Sequence, residues 1–258
     1  MAVATRMILR AAALAGLMFA AAAVPALAAT EAMEPPEQHW SFEGIFGRFD
    51  KAAAQRGLQV YTEVCAACHS LKYVHYRDLR ALGYNEEQVA AYAAQFEVED
   101  GPDGNGEMYT RPAEGRDPFV SPYPNDKAAA AANGVAPPDL SLMYKARENG
   151  ANYMYGLLVG YVDAPEEVEM TPGTYYNLYF PGHAIAMPQT LFDGGVEYEH
   201  GPEATKEQLA HDVVTFLAWA AEPKLEHRKA TGVAAILFLL VLTGLLYATK
   251  RKVWADAH

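Results

Sequence analysis

The longest unbroken apolar stretch in the chain is Ala230–Thr249, twenty residues without a charge: ATGVAAILFLLVLTGLLYAT. At about 1.5 Å per residue a helix of that length crosses the roughly 30 Å hydrocarbon layer of a bilayer. It is apolar all round and bracketed by His227-Arg228-Lys229 and Lys250-Arg251-Lys252, which argues against a buried core helix. A second apolar run, Ala11–Val24, follows Arg6 and Arg10 and leads to Ala26-Leu27-Ala28. A charged start, a compact apolar run and a small-x-small site read as an export signal over residues 1–28, with Ala29 first in the mature chain. Arginines without acids also suit a mitochondrial presequence, but the compact run and the cleavage site favour bacterial export. The flanking cations do not choose an orientation by themselves. The signal does: residues 29–229 form the exported body, 230–249 the anchor and 250–258 a cytoplasmic tail.

Between these ends the periodicity is helical in pieces. Gly57, Val60, Tyr61 and Val64 recur at i, i+3, i+4, i+7, with Asp50 placed to cap the helix that carries them. Thr205-Lys206-Glu207-Gln208 has the form of a capping box. The helix it opens runs to about Ala221, with Leu209, Val213, Phe216, Leu217 and Ala220 on one face and Pro223 beyond. Small Gly57 beside Tyr61 lets a second helix cross closely, so the Gly57/Tyr61 face is expected to meet the Phe216/Leu217 face. Shorter helices are expected within Asn85–Glu99, over Asp126–Ala132 up to Asn133-Gly134, and over Leu142–Asn149 and Asn152–Tyr161. Residues 29–49 read as an extended lead-in that packs by its aromatics, Glu97–Glu107 as mostly loop, Arg111–Asp126 as irregular, and 162–204 as turns with short strands.

The chemistry is concentrated in Cys65-Ala66-Ala67-Cys68-His69, which ends the first helix. Two thiols three apart can add across the two vinyl groups of one porphyrin edge, and the adjoining histidine then reaches the iron; this is the attachment pattern of a c-type haem. The chain holds no other cysteine, so a four-cysteine zinc site is impossible and no structural disulfide is left over. One covalent haem c, on Cys65 and Cys68 with His69 as axial ligand, is the expectation. A second axial ligand is needed, and Met raises the potential relative to His. Met108, Met143, Met154, Met170 and Met187 all lie downstream. Met143 and Met154 sit in helical segments, where Met is more often core. Met187 lies in an irregular loop of small residues next to Pro188 and is favoured over the histidine alternatives His75, His183, His200 and His211. The rigid Pro137-Pro138 loop offers a carbonyl to hold the axial imidazole. Arg147 and Tyr153, further on, are candidates for the propionates, with a surface arginine and a core tyrosine as the equal alternative.

Net charge is −12, and since both ends are basic the body between them is more acidic still. Such a body repels nucleic acid and attracts basic partners. Glu97, Glu99, Asp100, Asp103 and Glu107, five acids within eleven residues, are the candidate docking surface.

A first helix ending in CxxCH against a last helix resembles the cytochrome c fold. The resemblance sharpens over GLQVYTEVCAACHSLKYVHYRDL, VEDGPDGNGEMYTRP, PYPND, NGVAPPDLS, LLVGYVDAP, YYNLYFPGHAIAMP and DVVTFLAWAAEPKLEHRK. Together, from about residue 40 through the anchor, these resemble the cytochrome c1 family, the haem subunits of quinol–cytochrome c oxidoreductase (bc1) complexes. The resemblance implies a mainly α, cytochrome c-like haem domain with long irregular insertions and one C-terminal transmembrane helix. It implies covalent haem on Cys65 and Cys68, axial His69 and Met187, and Pro138, Arg147 and Tyr153 near the imidazole and propionates. It implies cytochrome b and Rieske iron–sulfur subunits as neighbours, a dimeric complex that couples quinol oxidation to proton translocation, and a soluble or anchored cytochrome c as electron acceptor. Some bacterial relatives carry an extra cysteine pair near the Met region; this chain lacks it, so its Met187 loop is expected to be held by packing alone.

Two other classes compete. A haem enzyme such as a peroxidase needs an open iron position, which a good Met candidate closes. A free-standing, membrane-anchored c-type shuttle usually has a long flexible linker, and here only Glu222–Lys229 separates body from anchor.

Overall fold

The computed structural model describes residues 32–256; the export-signal reading of residues 1–28 falls outside them. The first regular element among the described residues is α1, Lys51–Val60, capped as expected: the Asp50 carboxylate accepts from the Ala52 and Ala53 N–H groups. The helix then widens. Tyr61–Cys65 forms a π-helical turn, with Ala66 N–H bonded to the Tyr61 carbonyl at 2.8 Å. Such one-turn widenings concentrate at functional sites, and this one leads directly into the Cys-His motif.

The last helix of the body, α6 (Lys206–Ala221), crosses α1 face to face. A Cβ on Gly57 would stand 2.0 Å from the Asp212 carbonyl oxygen and 2.7 Å from Phe216 Cβ, so only glycine permits this approach. One turn on, the Tyr61 and Phe216 rings sit 5.8 Å apart. The expected face-to-face meeting is therefore present. At the same crossing the fully buried Asp212 accepts two hydrogen bonds from Arg56, at 2.7 and 2.9 Å, one from Tyr198 and one from Gln208. The Thr205 hydroxyl does cap the Gln208 N–H, but the reciprocal half of the box is absent because the Gln208 side chain turns to Asp212 instead.

Between the two helices lie a 3₁₀ segment Tyr76–Leu82, α2 (Glu86–Ala93), β1 (Glu97–Asp100), β2 (Tyr109–Pro112), α3 (Asp126–Asn133), α4 (Met143–Ala146) and α5 (Gly150–Val159). Two-residue strands β3 (Tyr175–Tyr176) and β4 (Ala184–Ile185) follow. Asn85 and Gln88 make a complete capping box for α2, and α3 ends at Gly134 with φ +80°. Glu97–Glu107 is mostly loop, as expected, but its first four residues are strand: β1 pairs antiparallel with β2, Glu97 opposite Pro112 and Asp100 opposite Tyr109. Arg111 fastens this hairpin by bonding both Asp100 and Asp117, the latter at 2.6 and 2.9 Å.

The core is aromatic. Trp40, Phe42, Tyr61, Tyr76 and Phe216 are fully buried. Trp40 stacks on His211 with ring centroids 4.6 Å apart, and its indole N–H donates to Asn152 Oδ1 at 2.7 Å. The lead-in thus packs by Trp40 and Phe42, but Phe46, which should have packed with them, is 84% exposed.

The anchor is longer than its apolar run. α7 spans Leu225–Val253 as one 29-residue helix, long and apolar enough to cross a membrane. Leu225 is buried in the body, so only Glu222–Lys224 lies between α6 and α7. Substituting Gly57→Ala is expected to destabilise the domain by about 3 kcal/mol or more, since the added methyl meets backbone that cannot yield. Thermal melting of the purified protein measures it; an unchanged midpoint would mean the helices part easily.

Candidate functional site

The π-helical turn delivers both thiols and the imidazole into one short loop. Backbone bonds from His69 N–H and Cys68 N–H to the Cys65 carbonyl, at 2.9 and 3.1 Å, close it, and the Tyr61 hydroxyl donates to the His69 carbonyl at 3.1 Å. Neither cysteine is in a disulfide. Burial, and then the neighbouring Cys68, push the Cys65 thiol up to about 12, so it stays protonated at neutral pH.

Around this loop the chain from α3 to α4 wraps closely. Asn133, at the end of α3, brings its side-chain oxygen to 3.7 Å from Cys68 Sγ. Five residues later the Pro138 carbonyl lies 2.8 Å from His69 Nδ1. A carbonyl can only accept, so Nδ1 carries the proton and the lone pair is on Nε2. Burial lowers the His69 pKa and the Pro138 bond opposes that shift only in part, so the ring is neutral. A neutral imidazole with Nδ1 held and Nε2 free is the form that binds a metal.

Asp139 makes the Pro138 carbonyl a fixed point. Its carboxylate accepts from Ser70 Oγ at 2.7 Å, Lys72 N–H at 3.0 Å and Ser141 N–H at 3.0 Å. Leu140 N–H bonds the Ser70 carbonyl at 2.9 Å and Tyr73 N–H bonds the buried Ser141 hydroxyl at 3.1 Å. Burial alone would raise the Asp139 pKa, but these donors outweigh it and hold it below the usual carboxylate range. Sequence reasoning reached the proline and missed the aspartate; three donors converging from two segments leave no spacing signal.

The Met187 loop is held by more than packing. Fully buried Asn177 donates to the Leu157 carbonyl at 2.8 Å, accepts from Tyr179 N–H at 3.0 Å, and bonds through its own N–H to the His183 carbonyl at 2.9 Å. Tyr161 OH then donates to the Met187 carbonyl at 2.9 Å, so α5 and the β3–β4 hairpin fix both sides of the loop. The expectation of packing alone is corrected by this network. Met187 itself is half-buried, whereas Met154 is core and Met108 is 56% exposed. Three of the four histidine alternatives have other work: His211 stacks on Trp40, His183 stacks on Tyr176 with Nδ1 on the Asn177 carbonyl, and His75 faces Asp78, while His200 is exposed.

Arg147 follows α4 in extended backbone and is exposed, its side chain bonded only to the Ala146 carbonyl among the described residues. Tyr153 is half-buried on α5. The acidic cluster divides. Asp100 is paired with Arg111, and Asp103 accepts from Asn105 and Glu107 N–H groups to shape its own turn; both carboxyl pKa values are lowered by these donors. Glu97, Glu99 and Glu107 are exposed and carry no ion pair among the described residues.

Two free thiols at i and i+3, a neutral imidazole oriented through Nδ1, and a thioether in a fixed loop suit a covalently held iron porphyrin. This is a c-type cytochrome domain carried on an anchor helix. The chain belongs to the cytochrome c1 family, whose sequence profile matches residues 40–257, and that membership implies a haem cofactor. Cytochrome c1 of Rhodospirillum rubrum is 51% identical over 237 residues, covering 85% of this chain and 87% of that protein. The mitochondrial cytochrome c1-2 heme protein of Solanum tuberosum is 51% identical over 238 residues, 92% of this chain and 91% of its own length. Cytochrome b/c1 of Bradyrhizobium diazoefficiens is 46% identical over 267 residues, and this chain spans only 39% of that longer protein.

Asp139→Ala is expected to cost about 1–3 kcal/mol by stranding its donors, or about 3–10 °C in the melting midpoint of a domain this size. Asp139→Asn, which keeps one acceptor oxygen, should recover part of the loss. Equal midpoints for all three proteins would show that the clamp does not hold the loop.

Proposed function

We propose that this chain is the haem-bearing electron-transfer subunit of a quinol–cytochrome c oxidoreductase. It receives single electrons from a Rieske iron–sulfur subunit and delivers them to a soluble or anchored cytochrome c. Cytochrome b would be its other neighbour in a complex, expected to be dimeric, that couples quinol oxidation to proton translocation. The observation that carries the reading is the His69 imidazole, fixed on the Pro138 carbonyl beside the thiols of Cys65 and Cys68. The bound iron would supply the one-electron ferric/ferrous couple. The residues of this chain would do the rest: Cys65 and Cys68 would tether the ring as thioethers, and His69 Nε2 and Met187 would hold the iron. Arg147 and Tyr153 are the proposed propionate partners, and the exposed guanidinium of Arg147 is free to serve.

In this reading residues 1–28 are removed on export, 29–229 stand on the periplasmic side, 230–249 cross the cell membrane and 250–258 end in the cytoplasm. The join between α6 and α7 favours a fixed subunit over a roaming shuttle. Leu225 is buried in the body, and Glu222 bonds Arg228 and pairs with Lys145 at 3.5 Å. A helix bolted on this way sets the body at one height and one orientation, as an electron relay between fixed donors requires.

Met187→Ala should keep the haem attached through acid–acetone extraction while the potential falls by a sizeable part of the roughly 0.8 V that axial ligands span. Quinol-dependent cytochrome c reduction in membranes should fall with it. An unchanged potential would remove Met187 from the iron. Neutralising Glu97, Glu99 and Glu107 together to Gln should slow reduction of a basic cytochrome c at low salt, with the difference fading as salt rises. Asp100→Asn should slow it less per charge and loosen the hairpin, because that carboxylate already serves Arg111. A low-salt rate that ignores the triple substitution would place docking elsewhere.

A further inference from the structure

The loop that should have packed and does not lies at the outer end of the anchor. Ile45 is 68% exposed and Phe46 84% exposed, side by side at the tip of residues 44–47. The loop is not free. Lys229 Nζ donates to the Phe42 and Gly44 carbonyls at 2.6 Å each and to the Gly47 carbonyl at 3.4 Å, and Phe49 N–H donates to Glu226. Both fastening residues are on α7. Ile45, Phe46, Gly47 and Arg48 thus form one wall of a groove of about 600 Å³, whose other wall is Glu226, His227, Lys229, Ala230 and Val233.

The height of this groove follows from the helix. The five residues Leu225–Lys229 precede the uncharged run and rise about 7 Å at 1.5 Å each, which matches the headgroup layer on one side of a bilayer. Val233 lies about 6 Å further in, inside the hydrocarbon. A wall that reaches Ala230 and Val233 while bonded to Lys229 therefore stands at the boundary between headgroups and acyl chains. The charges agree with that height. Arg48 and His227 line the groove and are exposed, where lipid phosphates would lie, and Glu226 is occupied by Phe49 N–H.

We propose that the Ile45–Phe46 loop is a membrane wedge, inserted among the acyl chains of the leaflet that α7 enters and seating a phospholipid against Ala230 and Val233. It rests on the reading of α7 as a membrane-spanning helix and goes beyond it. The wedge gives the body a second point of attachment, so the domain cannot swing about the short Glu222–Lys224 join. Lys229 is the positioning residue: its ammonium gathers three carbonyls that would otherwise face the lipid unpaired.

The test uses the haem-loaded full chain in nanodiscs of phosphatidylcholine and phosphatidylglycerol, with a nitroxide on Phe46→Cys. Parallel labels on Val241→Cys and Asn105→Cys mark lipid and water. Collision with oxygen and with a water-soluble nickel complex is read for each. The wedge predicts that the Phe46 site favours oxygen over nickel, at a depth close to that of an Ala230→Cys label, and that adding Lys229→Met shifts it toward nickel. A Phe46 site as open to nickel as Asn105, with Val241 in lipid, overturns the wedge and leaves the anchor intact. Val241 open to nickel would instead refute the spanning helix. A Phe46 site in lipid in nanodiscs but shielded from both probes in the complex from native membranes would mean that a protein neighbour covers it, and would equally overturn the proposal. Labelling of the unsubstituted chain would show that Cys65 and Cys68 are not consumed by haem.

Discussion

Gly57 against the Asp212 carbonyl sets how close α1 and α6 can lie, and that distance places everything downstream of α1. Because the backbones nearly touch, the Asp212 carboxylate is enclosed and must be satisfied inside, which Arg56, Tyr198 and Gln208 accomplish. Breaking such a pair is costly because it leaves a buried charge alone. The crossing also fixes Tyr61, and Tyr61 begins the widened turn that aims Cys65, Cys68 and His69. A packing constraint on a glycine is thus transmitted within three helical turns to the imidazole.

What the sequence disclosed was what is local. CxxCH, the Asp50 and Asn85 caps, the Gly134 stop and the apolar run of the anchor are all set by neighbours a few residues apart, and each can be read without knowing the fold. The Gly57/Phe216 contact was also legible, since a small residue in an apolar stripe admits few explanations. The misses share one cause. Asp139, Asn177 and Tyr161 act by joining segments that are remote in sequence, and polar residues that satisfy backbone groups at a distance have no period. The β1–β2 pairing was hidden in the same way: its acids suggested a solvated loop, whereas Arg111 ties one of them, Asp100, to the more distant Asp117. Phe46 misled in the other direction, because an aromatic in a lead-in is ordinarily core.

The two halves of the proposed haem site are held for different reasons. On the His69 side, Asp139 collects donors from both flanking segments and the Pro138 carbonyl follows. On the Met187 side, Asn177 and Tyr161 tie a hairpin of two-residue strands to α5. With His69 and Met187 as the proposed iron ligands, such rigidity would suit an electron carrier, since ligands that do not move leave little to reorganise when the charge changes. The union of α7 with the body extends the same economy to the whole subunit.

The most direct test of the account is a reduced-minus-oxidised visible spectrum of the tagged chain, taken from native membranes in mild detergent. The account predicts a c-type band together with b-type bands that co-purify with it. A c-type band alone, repeated across gentle detergents, would contradict the assignment to a quinol-oxidising complex and leave an anchored carrier. No c-type band at all would contradict the haem site itself.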